Sequence, residues 1–238
     1  MKVAICLHGY FNSLTDKDSH GEDGYNHLVK RVYEELAVKP DVYIHSWEPH
    51  LREKICNLYD PVAFSFEPQI DFSSIVEARG LQDVVAKSPR PPQSVISHFY
   101  SIQKVFNLCY MNNNDYDIII KARFDTGRIN RNPNRTPVQC ITFNPNIKPA
   151  RIYMADWEMF DQGPADMWFY GDKNIMQPFT TVFSELIGVF YKDSDFHNYA
   201  KKISNNDGDL SNSVVFYKWW MEMKGLWERK IPLGCTYE

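Results

Sequence analysis

Residues 116–127 read Tyr-Asp-Ile-Ile-Ile-Lys-Ala-Arg-Phe-Asp-Thr-Gly, so Lys121, Arg123 and Asp125 alternate directly after a run of isoleucines. The side-chain period of two in a strand puts those three charges on one face and Ala122 and Phe124 on the other. The isoleucine run predicts a strand buried on both faces, as inside a parallel sheet. The charges then emerge at or beyond its carboxyl end, where open α/β sheets bind ligands. Two cations and one carboxylate converging there suit a diphosphate and the metal ion that accompanies it. The same triplet also reads as a charged strand end with a surface Arg–Asp pair.

The elements that must position these residues follow from the apolar pattern. Residues 2–7 predict a first buried strand, with Gly9 just beyond it, where the backbone can turn sharply beside a ligand. Leu28, Val32 and Leu36 recur at four-residue spacing and predict an amphipathic helix over 25–36. Residues 41–47 predict a second strand, which completes a βαβ unit. A third strand is expected at 61–66. The proline-punctuated stretch 67–92 reads as a loop with one short helix near 75–86, able to lie over a site. Ser94 is expected to cap a helix whose buried stripe is Val95, Phe99, Ile102, Phe106 and Cys109, and which feeds the strand at 116. Further strands are predicted at 138–143, 152–154 and 167–170, and a helix at 173–189. A last helix over 210–223 carries the stripe Leu210, Val214, Tyr217 and Met221, with Gly225 as its stop and an edge strand at 231–233.

The bulk numbers bound the function. At 238 residues the chain suits one α/β domain. A net charge of −4 with no Lys/Arg run makes nucleic acid an unlikely partner. Its five cysteines are scattered and never paired as CxxC, which argues against a disulfide framework or zinc site and fits a reducing compartment. With no signal-like start and no membrane span, the sequence reads as cytoplasmic.

Taken together, three ordered segments resemble glycosyltransferases of the GT-A type. More narrowly, they are similar to the small polysaccharide- and lipopolysaccharide-modifying transferases of bacteria, phages and large viruses. Residues 2–11 (KVAICLHGYF) resemble that family's first strand and nucleotide-binding turn. Residues 41–47 (DVYIHSW) are close to its D-V-[FY]-I-H-[ST]-W second strand. Residues 99–104 leading to 116–125 resemble its helix and its Y-D…R-x-D strand, and 166–171 match a later D-x-[FW] region more loosely.

The resemblance implies a single GT-A-like (Rossmann-like) α/β domain with a mostly parallel central sheet flanked by helices. Residues 1–127 would form the nucleotide-sugar-binding half and 128–238 the acceptor-side half. It implies transfer of a sugar from a nucleotide-diphosphate donor to a hydroxyl acceptor, a glycan in the first instance, assisted by Mn²⁺ or Mg²⁺. The donor would meet His8, Gly9, Tyr10, Phe11, Ser46, Lys121 and Arg123, and Asp125 would be the metal ligand. Asp166 is the leading candidate for a general base, with Asp161 and Asp156 as rivals. Trp47, Trp157 and Trp168 are candidates for stacking. The chain departs from the family pattern in two places: Asn12-Ser13 stand where a basic residue is usual, and the DxD is Arg123-Phe124-Asp125. The missing first acid keeps open a non-catalytic sugar-nucleotide-binding module. Leu7-His8-Gly9-Tyr10 also resembles the oxyanion segment of α/β-hydrolases, but no Gly-x-Ser-x-Gly elbow occurs.

Overall fold

The computed structural model describes residues 1–12, 20–81, 92–112, 114–128, 140–157, 159–203 and 210–234. Its centre is one seven-stranded sheet. In chain order the strands are β1 (Val3–Gly9), β2 (Asp41–Ser46), β3 (Ala63–Phe66), β4 (Ile118–Arg123), β5 (Ile152–Ala155), β6 (Trp168–Gly171) and β7 (Lys230–Leu233). They lie in the order β3-β2-β1-β4-β6-β5-β7. The pairs β1–β2, β2–β3, β1–β4 and β5–β7 are parallel, while β6 runs against both its neighbours. The sheet is mixed and mostly parallel, as expected, with β4 parallel to β1 and antiparallel to β6.

Eight α-helices accompany it among the described residues: α1 (His20–Arg31), α2 (Arg52–Tyr59), α3 (Ser73–Ala78), α4 (Pro92–Met111), α5 (Lys173–Met176), α6 (Val182–Val189), α7 (Asp195–Ile203) and α8 (Ser213–Met223). Side-chain alternation along the strands divides the core in two. Ile5, Leu7, Ile44, Ile120, Ala122 and Phe124 pack with α1 and α2 through Leu28, Val32, Ile55 and Tyr59. Ala4, Cys6, Tyr43, Ile119 and Phe169 pack with α4 and α8 through Phe99, Phe106, Phe216 and Tyr217. The Phe99 ring meets Phe216 and Tyr217 edge-on at 4.7 and 4.8 Å, which ties α4 to α8. Burial of each such ring contributes about 1.5–3 kcal/mol.

Several boundaries differ from the sequence reading for identifiable reasons. α4 begins at Pro92, whose fixed φ and missing N–H suit a first helical turn, so Ser94 lies inside the helix rather than capping it. The expected helix over 173–189 is broken into α5, a 3₁₀ turn at Gln177–Thr180 and α6, because Pro178 cannot continue an α-helix. The sequence reading missed α2 and α7, although Phe196, Tyr199, Ala200 and Ile203 recur at helical spacing along α7. Residues 140–143 form no strand, and 138–139 lie outside the described residues; α3 ends at Ala78, inside the expected 75–86, of which 82–86 lie outside the described residues. β7 is an edge strand, as Pro232 requires.

α1 backs the turn after β4 at very short range. A Cβ on Gly24 would stand 1.9 Å from the Phe124 carbonyl oxygen, so only glycine lets the helix and this turn approach so closely. Gly24→Ala is expected to destabilise the fold by about 3 kcal/mol through overpacking, read as a lower urea midpoint at unchanged slope. An unchanged midpoint would show that α1 does not brace the Phe124 turn.

Candidate active site

The order β3-β2-β1-β4 reverses direction at the β1/β4 boundary: the chain winds outward from β1 through β2 and β3, then returns to β1's other side with β4. In open α/β sheets the crevice at such a reversal, beyond the carboxyl ends of the strands, binds ligands. A cavity of about 620 Å³ lies there, within the usual range for small-molecule sites. His8, Gly9 and Tyr10 reach it from β1 and its turn, Trp47 from the end of β2, and Arg123 and Asp125 from β4. The first turns of α4 and α8 close it, through Gln93, Ser97 and His98 and through Ser213.

The turn after β1 is held from both sides. Gly9 has φ of +100°, in the region that favours glycine, and its N–H donates to the Ser101 hydroxyl at 3.1 Å. Glu48 accepts the N–H groups of Phe11 and Asn12. Ser101 bonds His45 Nδ1 at 2.6 Å, and His45 Nε2 meets Glu67 at 2.8 Å. These three have the membership of a hydrolase triad, but Ser101 is wholly buried and its Oγ accepts the Gly9 N–H, so the chain of bonds fixes a turn. Tyr10 is pinned by its hydroxyl to Gln69 at 2.9 Å, and Gln69 in turn donates to Ser97.

Arg123 is the centre of the charged floor. Its Nε and Nη2 grip both oxygens of Asp125 at 2.9 and 2.7 Å, and its Nη1 reaches Asp166 at 3.2 Å. The other Asp166 oxygen accepts from Ser213 at 3.2 Å. Burial works to raise the Asp166 carboxyl, but the guanidinium beside it and the Ser213 hydroxyl outweigh burial and hold it well below the usual carboxylate range. Burial likewise opposes the charge on Arg123, and the two carboxylates more than restore it. About a third of the guanidinium side chain stays exposed to the cavity.

Seven of the residues expected at the site therefore line one cavity: His8, Gly9, Tyr10, Trp47, Arg123, Asp125 and Asp166. Phe11, Ser46, Lys121, Asp156, Asp161, Trp157 and Trp168 do not. Phe11 is fully buried in the core beside α1, its ring 5.8 Å from Phe124, so only its backbone serves the turn. Ser46 faces away from His45 and accepts the Glu48 N–H. Lys121 is completely buried behind the floor, donating to the Asp166 backbone carbonyl under the rings of Phe169 and Tyr217. Burial pushes its ammonium down to about 7. Asp161 is exposed, in a 3₁₀ turn whose backbone carbonyl accepts from Lys218. Trp157, half-buried, donates to the Gly163 carbonyl, and Trp168, fully buried, donates to the Cys140 carbonyl; neither lines the cavity. His98, Gln69 and Ser213 escaped the sequence reading. Only Ser213, which opens α8, stands at a helix start; no local pattern marks His98 or Gln69.

Among the described residues, no group of three or more His, Cys, Asp and Glu could hold a metal ion. A hard dication such as Mg²⁺ often takes only one or two carboxylates and completes its shell with water and substrate phosphates. Asp125 and Asp166 fit that arrangement and do not form a closed protein cage. Among the described residues Cys6, Cys56 and Cys109 carry free thiols. No helix among the described residues is long and apolar enough to cross a membrane.

Three histidines are kept neutral by burial first and by neighbouring cations second: His98 is pushed down to about 3, His27 to about 4, and His8 well below its ordinary value. Unfolded, each would take up a proton near 6.5. Their contribution to stability is therefore complete above pH 6.5 and is lost as pH falls towards the folded-state values. The melting temperature is expected to drop from pH 7 to pH 5. The drop should be smaller in His27→Gln, which keeps an acceptor for the Ile141 N–H outside the cavity. Equal slopes in the two proteins would remove His27 from the account.

No protein-family model matches the chain, and no curated protein matches it in sequence. Among solved structures it is similar to the apo form of mouse xyloside xylosyltransferase 1, at 11% identity and a TM-score of 0.44, over 99% of this chain and 86% of that one. A likeness this slight carries no functional argument.

Proposed function

We propose that the chain is a glycosyltransferase of GT-A type that moves a sugar from a nucleotide-diphosphate donor to a hydroxyl acceptor, a glycan in the first instance. The observation that carries this reading is Arg123, held between Asp125 and Asp166 at the β1/β4 reversal with part of its guanidinium open to the cavity. In such a transfer the bond from sugar carbon to diphosphate oxygen breaks, and negative charge grows on the leaving group. A fixed guanidinium in a partly desolvated site stabilises that charge without having to reorganise. Its planar fork, already gripped on one edge, presents donors in a set direction.

Gly9 lets the backbone come close to the donor, and the Tyr10 ring, pinned through Gln69, offers a fixed flat surface at the rim. Asp125 is the carboxylate proposed to hold Mn²⁺ or Mg²⁺ together with the donor phosphates, an ion that supplies charge neutralisation when bound. Asp166 is ionised across the working range, the state a proton acceptor needs, but so low a pKa makes it a weak base. Holding Arg123 against the leaving group is the role its bonds favour. The free thiols fit a reducing compartment, the cytoplasm in our reading. The net charge of −4 favours a glycan over a nucleic-acid acceptor.

A second reading, a non-catalytic sugar-nucleotide-binding module, is favoured by one observation: both oxygens of Asp125 are occupied by Arg123. Turnover separates the two. Arg123→Ala is expected to lower kcat/KM for sugar transfer by about 10²-fold or more, whereas a binding module shows no transfer in either protein.

Nucleotide-sugar binding itself is tested by thermal shift. A matching donor at a hundredfold excess over Kd stabilises the native state by about 2.7 kcal/mol. Mn²⁺ is expected to enlarge the shift in the wild type and to add nothing in Asp125→Ala. If no nucleotide sugar raises the melting temperature, the transferase reading fails.

A further inference from the structure

His8 is the next-to-last residue of β1, in register with Arg123 on β4 and His45 on β2. It is 1% exposed, it lines the cavity, and neither of its ring nitrogens has a hydrogen-bond partner among the described residues. Among the described residues its close aromatic neighbour is His98, whose ring meets it edge-on at 5.1 Å and whose own Nε2 is occupied by the Tyr217 hydroxyl at 2.9 Å. Buried polar side chains are paired in all but a few cases. An imidazole left with both nitrogens unpaired in a cavity wall is a site whose partner comes from the cavity.

The chemistry of that partner follows from the surroundings. Lys121, His98, Arg123 and His45 all face His8, and with burial they hold it uncharged. A neutral imidazole has one donor and one acceptor. A phosphate oxygen could satisfy the donor and would leave the acceptor unpaired. An ammonium could satisfy the acceptor alone. A hydroxyl, donor and acceptor at once, answers either nitrogen. The same neighbours make His8 a poor proton acceptor, because an imidazolium there would be buried beside two cations. Adjacent strands lie about 4.8 Å apart, so the group that meets His8 is the one next to whatever Arg123 faces.

We propose that His8 reads a hydroxyl of the transferred sugar, hydrogen-bonding it from the floor of the cavity. This rests on the glycosyltransferase reading, which places the diphosphate against Arg123 and hence its sugar beside His8.

Calorimetric titration with the nucleotide sugar that gives the largest thermal shift, and with the matching nucleoside diphosphate, tests it. His8→Phe is expected to weaken binding of the nucleotide sugar on the order of tenfold while leaving the nucleoside diphosphate within about twofold of wild type. His8→Asn, which restores a donor and an acceptor, is expected to recover most of the loss. Equal losses for the two ligands, or none for the sugar, overturn the proposal and leave the transferase reading standing. Should His8→Phe not fold, ¹⁵N chemical shifts of the His8 ring in the wild type decide. They should move with the nucleotide sugar and stay put with the nucleoside diphosphate, and shifts alike for both overturn it. Failure of the wild type to bind any nucleotide sugar removes the transferase reading and this proposal together.

Discussion

The site depends on one guanidinium held by two carboxylates. Arg123 joins the turn after β4, through Asp125, to the segment entering β6, through Asp166, and Asp166 passes the connection to α8 through Ser213. Three elements far apart in the chain, brought together by strand pairing and apolar packing, are thus joined at one point by polar contacts. Such a cluster is costly to assemble, because each ion gives up water. Removing one member is costlier still, because the rest are left desolvated and unpaired. The geometry of the floor is therefore coupled to the folding of the whole sheet.

A polar layer under the cavity grows from the same cause. On the α4/α8 face of the sheet, His8, His45, Lys121 and Arg123 follow the apolar residues of their strands towards the carboxyl edge. The rings of Phe169 and Tyr217 seal Lys121 from solvent. Low polarity there keeps the histidines neutral and makes each remaining charge act at longer range than it would in water. Neutral imidazoles and one fixed cation in a shared floor make a surface that can meet hydroxyls and anions side by side.

How much of this the sequence revealed depends on distance along the chain. The alternation Lys121-Ala122-Arg123-Phe124-Asp125 placed three charges on one face because strand geometry alone decides it. The same alternation also separates Ser46 from His45, so Ser46's position behind the wall was readable from the parity of β2. Lys121 was assigned to the correct face, but its depth was not readable, since it is set by Phe169 and Tyr217 from later elements. Phe11 lies beyond Gly9, where the turn breaks strand parity and sends the ring to the opposite core. His98 and Ser213 join the site only through the packing of α4 against α8, a contact between residues more than a hundred positions apart that no local pattern records.

The reversed direction of β6 sets where variation can enter. Along β1, β2 and β4 the chain departs from the cavity after leaving the sheet, whereas along β6 it arrives at the cavity and then commits to the sheet. Everything after Asp166 is bound by strand register to Arg123's own neighbours, and the segment immediately ahead of it is braced against α8: a Cβ on Gly163 would stand 2.1 Å from the Val214 carbonyl oxygen, and Lys218 donates to the Asp161 carbonyl. Variation can enter ahead of β6 only by substitutions that keep this bracing, because a shift there moves Asp166 and with it the guanidinium.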